Sequence, residues 1–330
     1  VIDNLKLAFD YHHHLAAGVL ALGGFLSPST STQYDGISPP LKQAKYEHGM
    51  VIGLGGGALV NFFMAFMPNL HLIIVELDEC IVDIAKSHFG FRADSHRVKV
   101  VIGDGLAICA ENKIGIIDVE KEERVGSETN VAHVSKDGKG TEFAPNSMQF
   151  IVIDVDSKDT SIGMSCPPVP FISPTYLAEL YELLGSDGVL AINVSARDPS
   201  MLHAVKTNAH QVFETVFLSS TDTEPTDEDV GGVVEDLNVV VFCTKNKIIL
   251  PEADHCSTLL SNLCLANKVT DEEIVSELED CIVGIKQYSV PMKTDVDDSL
   301  KKEKKQSSNP SRSSRGKKKG NNKKKRGKKK

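Results

Sequence analysis

The chain has 330 residues, 41% of them hydrophobic and 25% charged, which is enough to bury a full core in one large domain or two small ones. Its formal net charge of −9 hides a division, because residues 301–330 contain 13 Lys and 3 Arg but only one acid. The first 300 residues hold 20 basic and 44 acidic residues, a charge near −24. Such a body favours cationic partners and argues against its binding a phosphate backbone. An acidic surface that only maintains solubility is the open alternative.

The seven cysteines form no Cys-x-x-Cys pair, and several lie in apolar runs. This pattern predicts reduced, buried thiols in a cytoplasmic protein, with neither disulfides nor a metal site. The longest apolar stretch, 51–67, is interrupted by glycines and Asn61, so we predict no membrane span. The chain begins with Val1 and enters a helical pattern directly, and we expect it to be part of a longer polypeptide.

Apolar residues at helical spacing predict a helix within residues 1–26. Tyr11 and three adjacent histidines, 12–14, stand just before its apolar face. Consecutive helical residues point in different directions, so the three imidazoles cannot all bind one metal ion, and surface or packing roles are expected. If one of these side chains has a function, we expect Tyr11 or His12 to line the cofactor cleft. A turn-rich loop, 27–47, follows.

Residues 48–112 alternate strand and helix patterns, which predicts βα units in a parallel sheet with right-handed crossovers. The first unit contains a glycine turn at Gly53, Gly55 and Gly57, where a strand meets a helix N-terminus. Backbone N–H groups in such a turn can approach a nucleoside cofactor. The pattern also satisfies the Gly-x-Gly-x-x-Gly/Ala fingerprint of nicotinamide enzymes, so the turn alone leaves the cofactor open.

Acidic residues follow the next strands of the pattern. Glu76 ends the second apolar run, where a carboxylate can accept hydrogen bonds from a ribose diol. Asp104 lies in a Gly-Asp-Gly turn after the third run, where it can accept from an adenine amine or cap the following helix. The acids at 154, 156 and 159 follow the fourth run and suit a sulfonium and an amine better than a pyrophosphate. The sequence therefore favours S-adenosylmethionine over NAD.

Asp154 is the strongest candidate for chemistry, because it follows four apolar residues and its charge is poorly screened there. A carboxylate in this position can orient an ammonium and accept its proton before methyl transfer to nitrogen. Asp156 and Asp159 are further catalytic candidates, although a loop with three acids commonly uses one on its own backbone. A loop-capping role for Asp154 is the alternative.

The remaining chain is predicted from the same signals. A loop runs to residue 168, and the elements expected after it are a helix near 173–184, a strand at 189–194, a helix from Asp198 to about His210, strands at 212–218 and 238–244 around an acidic loop, and helices within 252–290. The predicted division is a helical entry and loop (1–47), a catalytic domain (48–250) with a mobile insertion (113–148), C-terminal helices (251–292) and a disordered Lys-rich tail (293–330).

Residues 150–168 resemble the corresponding stretch in the C-terminal half of the eukaryotic elongation factor 1-alpha lysine and N-terminal methyltransferase family. Four shorter segments resemble the same region, 51–59, 75–78, 88–91 and 102–106. The resemblance covers about residues 10–245 without the insertion. The segment around Asp154 is specific to this family, and the glycine turn is not.

The resemblance implies a class I, Rossmann-like methyltransferase fold related to spermidine synthase, with a seven-stranded, mostly parallel sheet and helices on both faces. It implies S-adenosylmethionine as the methyl donor and the amino terminus of elongation factor 1-alpha as the acceptor. The lysine-methylating half of that family is absent here, so lysine activity is not implied. The residues implied to bind the cofactor are Gly53, Gly55, Gly57, Glu76, Leu77, Asp104, Gly105, Leu106 and Asp154.

Two other functions stay open. Spermidine synthases share the glycine turn, Glu76, Asp104 and Asp154, which makes aminopropyl transfer to a polyamine the main alternative. Where spermidine synthases have a Tyr-x-Glu/Asp element, this chain has Tyr11-His12-His13. Their shorter loop after the catalytic Asp is replaced here by residues 154–168. Both differences count against a diamine acceptor. The third function is a non-catalytic scaffold. The basic tail is expected to associate with RNA or ribosomes through phosphate contacts.

Overall fold

One mixed sheet organises the computed structural model of the chain. The structure describes residues 5–7, 9–25, 48–92, 96–110, 131–133, 145–157, 161, 163–220, 237–248, 250, 253–267, 269 and 271–288. All of them belong to one compact unit, Val1–Ser289. Asp159, the acidic loop 221–236, most of the predicted insertion and the basic tail lie outside the described residues.

Ten strands are found in the described ranges, and all ten join the sheet. They are β1 His48–Ile52, β2 His71–Glu76, β3 Val98–Ile102, β4 Val131–His133, β5 Met148–Ile153, β6 Met164–Cys166, β7 Leu184–Ala196, β8 Thr215–Ser220, β9 Leu237–Thr244 and β10 Lys286–Tyr288. The spatial order is β10-β8-β9-β7-β5-β1-β2-β3-β4, and β6 pairs with β7 beside this path.

The seven strands predicted from the sequence form the centre of this sheet. In the sheet, β3, β2, β1, β5 and β7 are neighbours in that order, and each adjacent pair is parallel. Strand β9 runs antiparallel to both β7 and β8. The register brings the last residues of the parallel strands level, since Ile52 pairs with Val75 on one side and with Ile153 on the other. Residues that directly follow these strands therefore meet at one edge of the sheet.

Helices cover both faces of the sheet. They are α1 Asp10–Leu22, α2 Ala58–Phe66, α3 Glu79–His88, α4 Gly105–Ala110, α5 Pro174–Leu183, α6 Pro199–His210, α7 Ala253–Asn267 and α8 Glu272–Val283, with a short 3₁₀ helix at Val169–Ile172. Side chains alternate along β5, so Phe150 and Val152 pack with α1, α2, α7 and α8, whereas Ile151 and Ile153 pack with α5 and α6. This two-faced burial explains the continuous apolar runs of the central strands.

Several helices begin at capping residues that can be read from the sequence. The side chains of Asp78, Ser173, Asp198 and Asp271 each accept a backbone N–H in the first turn of α3, α5, α6 and α8. Pro174 and Pro199 occupy the first helical position, where the missing N–H costs no hydrogen bond.

Helix α1 lies against the sheet at very short range. Most of its residues are buried, and it packs on β7, β8, β9, α2 and α8. The contact depends on Gly18, since a Cβ atom there would lie 2.1 Å from Cζ of Phe242 on β9. Within the described residues, no helix is long and apolar enough to cross a membrane.

Three short strands differ from the sequence predictions. β4 lies inside the predicted insertion, β6 inside the predicted loop 154–168, and β10 at the end of the segment 252–290 predicted to be helical. Each has three residues, and each pairs with a longer strand. Such short pairings depend on partners distant in the chain, which local periodicity does not reveal.

Candidate active site

The glycine turn lies where β1 ends and α2 begins. Gly53, Gly55 and Gly57 have φ values of +95°, +52° and +75°, which favour glycine. The Gly53 N–H donates to the carbonyl of Val75 on β2 at 2.8 Å, and the Gly57 N–H donates to the Leu54 carbonyl at 2.9 Å. Among the described residues, nothing lies within 4 Å of the position that a Gly55 Cβ would take. The turn therefore presents its backbone to open space.

Glu76 lies at the end of β2 and is buried, with its carboxylate directed to the glycine turn. Oε2 accepts a hydrogen bond from the Leu54 N–H at 3.0 Å, and Oε1 accepts one from the Asp78 N–H at 3.0 Å. A carboxylate has about four acceptor sites, so these two bonds leave capacity for a ligand. Leu77 follows with 71% of its side chain exposed, an apolar surface next to the carboxylate.

The third strand end brings Asp104 and Gly105 to the same edge. The Gly103 N–H donates to the Glu76 carbonyl at 2.8 Å, which keeps the ends of β2 and β3 together. Asp104 is exposed, and its Oδ1 accepts the Leu106 N–H at 2.9 Å at the start of α4, the alternative capping role expected for it. A Cβ on Gly105 would lie 2.7 Å from Cγ2 of Ile52, so α4 begins in close contact with β1.

Asp154, at the end of β5, is the centre of a polar cluster, and 20% of its side chain is exposed. Oδ1 accepts a hydrogen bond from Nδ2 of Asn193 on β7 at 2.9 Å. Oδ2 accepts a longer one from the Tyr11 hydroxyl at 3.4 Å, and Nε2 of His12 lies 3.6 Å from the same oxygen. Three side chains from two distant segments thus fix one carboxylate.

The backbone of Asp154 also contacts the glycine turn. A Cβ on Gly53 would lie 2.0 Å from the Asp154 carbonyl oxygen, and the Asp154 N–H donates to the Ile52 carbonyl at 2.9 Å. The backbone of Asp154, the residue that bears the candidate catalytic carboxylate, is therefore a direct neighbour of the glycine turn.

The environment of Asp154 perturbs two neighbouring acids. Burial raises the pKa of Tyr11 far above its usual value, and the negative charge of Asp154 adds to this effect. Burial and then the same carboxylate also raise the pKa of the Cys166 thiol well above its usual value. Its Sγ lies 3.3 Å from the Asn193 carbonyl, to which it donates. Tyr11 is a neutral hydrogen-bond donor, and Cys166 is a packed, unreactive thiol.

Of the other two predicted catalytic acids, only Asp156 is described, and its charge adds to the raised pKa values of Tyr11 and Cys166. Asp156 is exposed, and Asp159 lies outside the described residues. Of the adjacent histidines, His13 pairs with Glu277 on α8 at 2.8 Å, and Nδ1 of His14 lies 2.6 Å from Oγ of Ser219 on β8. His12 is the one that reaches Asp154, so the three imidazoles point to three different partners.

No group of three potential metal ligands occurs in the part of the chain that the structure describes. Six cysteines of the described ranges are thiols that form no disulfide, and four of them are buried, at positions 166, 243, 256 and 264.

Comparison with known proteins identifies the relatives of this site. No family model matches the chain. A curated zebrafish (Danio rerio) protein named eEF1A lysine and N-terminal methyltransferase is 32% identical over 197 residues, which cover 60% of this chain and 23% of that protein. The chain is similar to part of these proteins. It spans about a quarter of the length of the curated relatives it matches, which agrees with the partial resemblance predicted from the sequence.

Solved structures confirm the predicted class I methyltransferase fold. Human methyltransferase-like protein 13, crystallised with S-adenosylhomocysteine, superposes with a TM-score of 0.51 at 22% identity and covers 89% of this chain and all of that one. A probable spermidine synthase from Corynebacterium glutamicum has a TM-score of 0.51 at 17% identity and covers 79% of this chain and 73% of that one. At these identities the superpositions establish the fold alone.

Reasoning from the sequence missed two residues of the candidate site. Asn193 and Cys166 lie on β7 and β6, and both contact the Asp154 region. Asn193 is polar within the apolar run 189–194 of β7, and this was a usable signal, because buried polar groups need a partner. Cys166 carried no comparable signal, since its position depends on the unexpected pairing of β6 with β7.

Proposed function

We propose that the chain is an S-adenosylmethionine-dependent protein methyltransferase whose acceptor is the N-terminal α-amino group of elongation factor 1-alpha. The observation that carries this proposal is the contact between Gly53 and the backbone of Asp154. It places the turn suited to a nucleoside cofactor directly beside the backbone of Asp154, whose carboxylate suits an amine. The relatives named eEF1A lysine and N-terminal methyltransferases support the same acceptor.

The residues at the strand ends fit S-adenosylmethionine. The space next to Gly55 would admit the methionine part of S-adenosylmethionine beside the turn. The remaining hydrogen-bond acceptor sites of Glu76 suit the ribose diol. The exposed Leu77 and the second oxygen of Asp104 suit the face and the amine of adenine. Gly105 and Leu106, at the start of α4, complete the proposed cofactor set with Gly53, Gly57 and Asp154. When bound, S-adenosylmethionine supplies an electrophilic methyl group on a sulfonium sulfur.

Asp154 is proposed to orient the acceptor and to receive its proton. Its carboxylate is held by Asn193 and Tyr11, so it does not need to reorganise when an ammonium arrives. An α-amine has an unperturbed pKa of about 7.7–8, against about 10.4 for lysine, so its neutral form is far more abundant near pH 7. One carboxylate with water is then sufficient to remove the remaining proton.

The loop after Asp154 supports a peptide acceptor. β6 pairs with the end of β7, and Oγ of Ser165 donates to Oγ of Ser195 at 3.0 Å. The carbonyl of Gly163 accepts the N–H groups of Arg197 and Asp198 at 2.9 and 3.1 Å. These bonds fix one side of the loop as a wall beside Asp154, against which the first peptide residues would lie.

The decisive experiment compares three acceptors under identical conditions. The first is a peptide with the start of elongation factor 1-alpha and a free amino terminus, the second is its N-acetylated form, and the third is putrescine. We expect methylation of the free peptide alone. Methylation that survives acetylation would move the target to a side chain, and aminopropyl transfer to putrescine would establish a polyamine synthase.

Two variants separate cofactor binding from chemistry. Asp154→Asn keeps the shape of the side chain and removes its charge, so turnover should fall strongly while calorimetry still detects S-adenosylhomocysteine. Glu76→Ala should weaken that binding by about 1.5–3 kcal/mol, the contribution of a hydrogen bond to a charged group. NAD should not bind, and tight NAD binding would refute the proposed cofactor.

Aminopropyl transfer remains the second candidate because Tyr11 does contact Asp154, as a polyamine-binding tyrosine would be expected to do. The neighbouring His12 and His13 supply no second carboxylate for the far end of a diamine. A non-catalytic scaffold is the third candidate, and retention of every proposed cofactor residue argues against it.

The basic tail and the location complete the proposal. Residues 301–330 carry 16 basic residues and few apolar ones, a composition that favours a salt-sensitive tether to RNA or ribosomes. The free thiols favour the cytoplasm as the location. Deletion of 301–330 should leave turnover of a short peptide unchanged, and loss of that turnover would assign the tail to the active site instead.

A further inference from the structure

Three aromatic rings at the start of α1 form a continuous surface, which we call the aromatic wall. Phe9 and Tyr11 stack with ring centroids 5.7 Å apart and an angle of 13° between their planes. His12 contacts both, with centroids 5.4 Å from Phe9 and 4.4 Å from Tyr11. Phe9 is the outermost of the three, with 59% of its surface exposed.

The inner end of the aromatic wall is the Asp154 cluster. The hydroxyl of Tyr11 and Nε2 of His12 lie 3.4 and 3.6 Å from the same carboxylate oxygen. Phe9 stacks on Tyr11, so its exposed ring extends the surface outward from that oxygen. A partly exposed carboxylate with aromatic faces beside it suits a cation that also carries apolar groups.

The amine acquires this character as it is methylated. In each transfer the lone pair of the amine nitrogen forms the new N–C bond while the S–C bond breaks, and its electron pair stays on sulfur. Each added methyl group replaces an N–H donor, so a methylated ammonium makes fewer hydrogen bonds to Asp154 than the unmodified one. Its methyl groups carry the positive charge outward, where the face of an aromatic ring attracts it.

We propose that the aromatic wall, through Phe9, holds the acceptor amine after its first methylation and so determines how many methyl groups are added. This inference rests on the proposed function. The first transfer depends on Asp154, because the unmethylated ammonium has three N–H donors for the carboxylate. The later transfers depend on Phe9 and Tyr11. Between transfers one proton leaves the nitrogen for Asp154 and then water.

The test follows the mono-, di- and trimethylated products of the free peptide over time by mass spectrometry. Phe9→Ala should change the first transfer by less than about threefold and slow the later ones about tenfold, the size of a partly desolvated cation–π contact. Phe9→Trp should restore the later transfers, because tryptophan presents the strongest aromatic face. Val283→Ala is the matched control, since Val283 is another exposed apolar residue, on α8.

A binding measurement gives a readout independent of turnover. Calorimetry with S-adenosylhomocysteine present would compare an N-trimethylated peptide with the unmethylated one. Phe9→Ala should weaken binding of the trimethylated peptide about tenfold and leave the unmethylated peptide within about twofold. Equal loss for both peptides, no loss for either, or a wild-type enzyme that stops after one methyl group would overturn the inference. A wild-type enzyme that methylates no α-amine would instead refute the proposed function.

Discussion

Replacing Gly53 by alanine should destabilise the protein, because the added Cβ would lie 2.0 Å from the carbonyl oxygen and 2.9 Å from the carbonyl carbon of Asp154. Both atoms are backbone, so β5 would have to move away from β1. The left-handed φ of +95° adds about 1–2 kcal/mol for a residue with a Cβ, and overpacking adds about 1–3 kcal/mol. The expected loss of stability is therefore about 2–5 kcal/mol.

Gly55→Ala is the matched control for this prediction. Gly55 also has a positive φ, +52°, but no described atom lies within 4 Å of its Cβ position. The free energy of unfolding of Gly55→Ala should fall by only about 1–2 kcal/mol, because the left-handed backbone is the sole cost. The lower conformational entropy of the unfolded chain with alanine makes this loss smaller still. Its new methyl group would enter the proposed cofactor space, so it should weaken S-adenosylhomocysteine binding more than it affects stability.

Urea unfolding followed by circular dichroism measures both variants, and calorimetry measures the ligand. The two midpoints should differ at an unchanged denaturant slope, with Gly53→Ala unfolding at the lower urea concentration. Equal midpoints would show that β1 and β5 do not approach as described, and the contact that carries the proposed function would be lost with them.

Three further predictions concern other parts of the molecule. Arg97→Ala should cost about 2–4 kcal/mol in urea unfolding, because Arg97 donates to the carbonyls of Met64, Met67 and Leu70 and closes the end of α2; an unchanged midpoint would contradict this. Iodoacetamide should label the exposed Cys80 in the native protein and reach the buried Cys243 only after unfolding, since burial raises the pKa of the Cys243 thiol. Mass spectrometry of the two cysteine-containing peptides measures this order, and labelling of Cys243 before Cys80 would contradict it. The ultraviolet titration of tyrosine ionisation should be the same for Tyr11→Phe and the wild-type protein up to about pH 11, because burial raises the pKa of Tyr11. Since the pKa of Tyr11 is higher in the folded than in the unfolded protein, its contribution to stability is complete below a pH of about 10 and is lost as the pH rises further.

The sequence predicted which acidic residues meet at one edge of the sheet, and the reason is geometric. Glu76, Asp104 and Asp154 each follow an apolar run directly, and parallel strands bring their carboxyl ends to one edge whatever lies between them. The contacts that α1 makes at this edge were far less predictable. Tyr11 meets Asp154 across 143 residues, and that contact depends on how α1 packs on β7 and β9. His12 and Tyr11 were expected at a cleft, but nothing local indicated which carboxylate they would reach.

The errors in the fold have a similar physical origin. β6 has three residues in a segment of glycine, serine and proline, and its existence depends on pairing with β7. β10 pairs antiparallel to β8, about 70 residues earlier in the chain, and its residues Lys286 and Gln287 are exposed and lack an apolar alternation. Short edge strands of this kind are determined by the partner strand and not by their own propensity.

Gly18 sets how closely α1 can approach Phe242 on β9. Gly18 stands seven residues after Tyr11, about two helical turns or about 10 Å along the axis. Because a Cβ at position 18 would overlap the Phe242 ring, the placement of the rings at the first turn of α1 depends on a contact remote from them. A larger residue at position 18 would tilt the helix and displace Tyr11 and His12 from Asp154, while the glycine turn and Glu76 stay where the parallel strands place them. A substitution at position 18 should therefore alter the proposed acceptor site without moving the residues proposed to bind the cofactor.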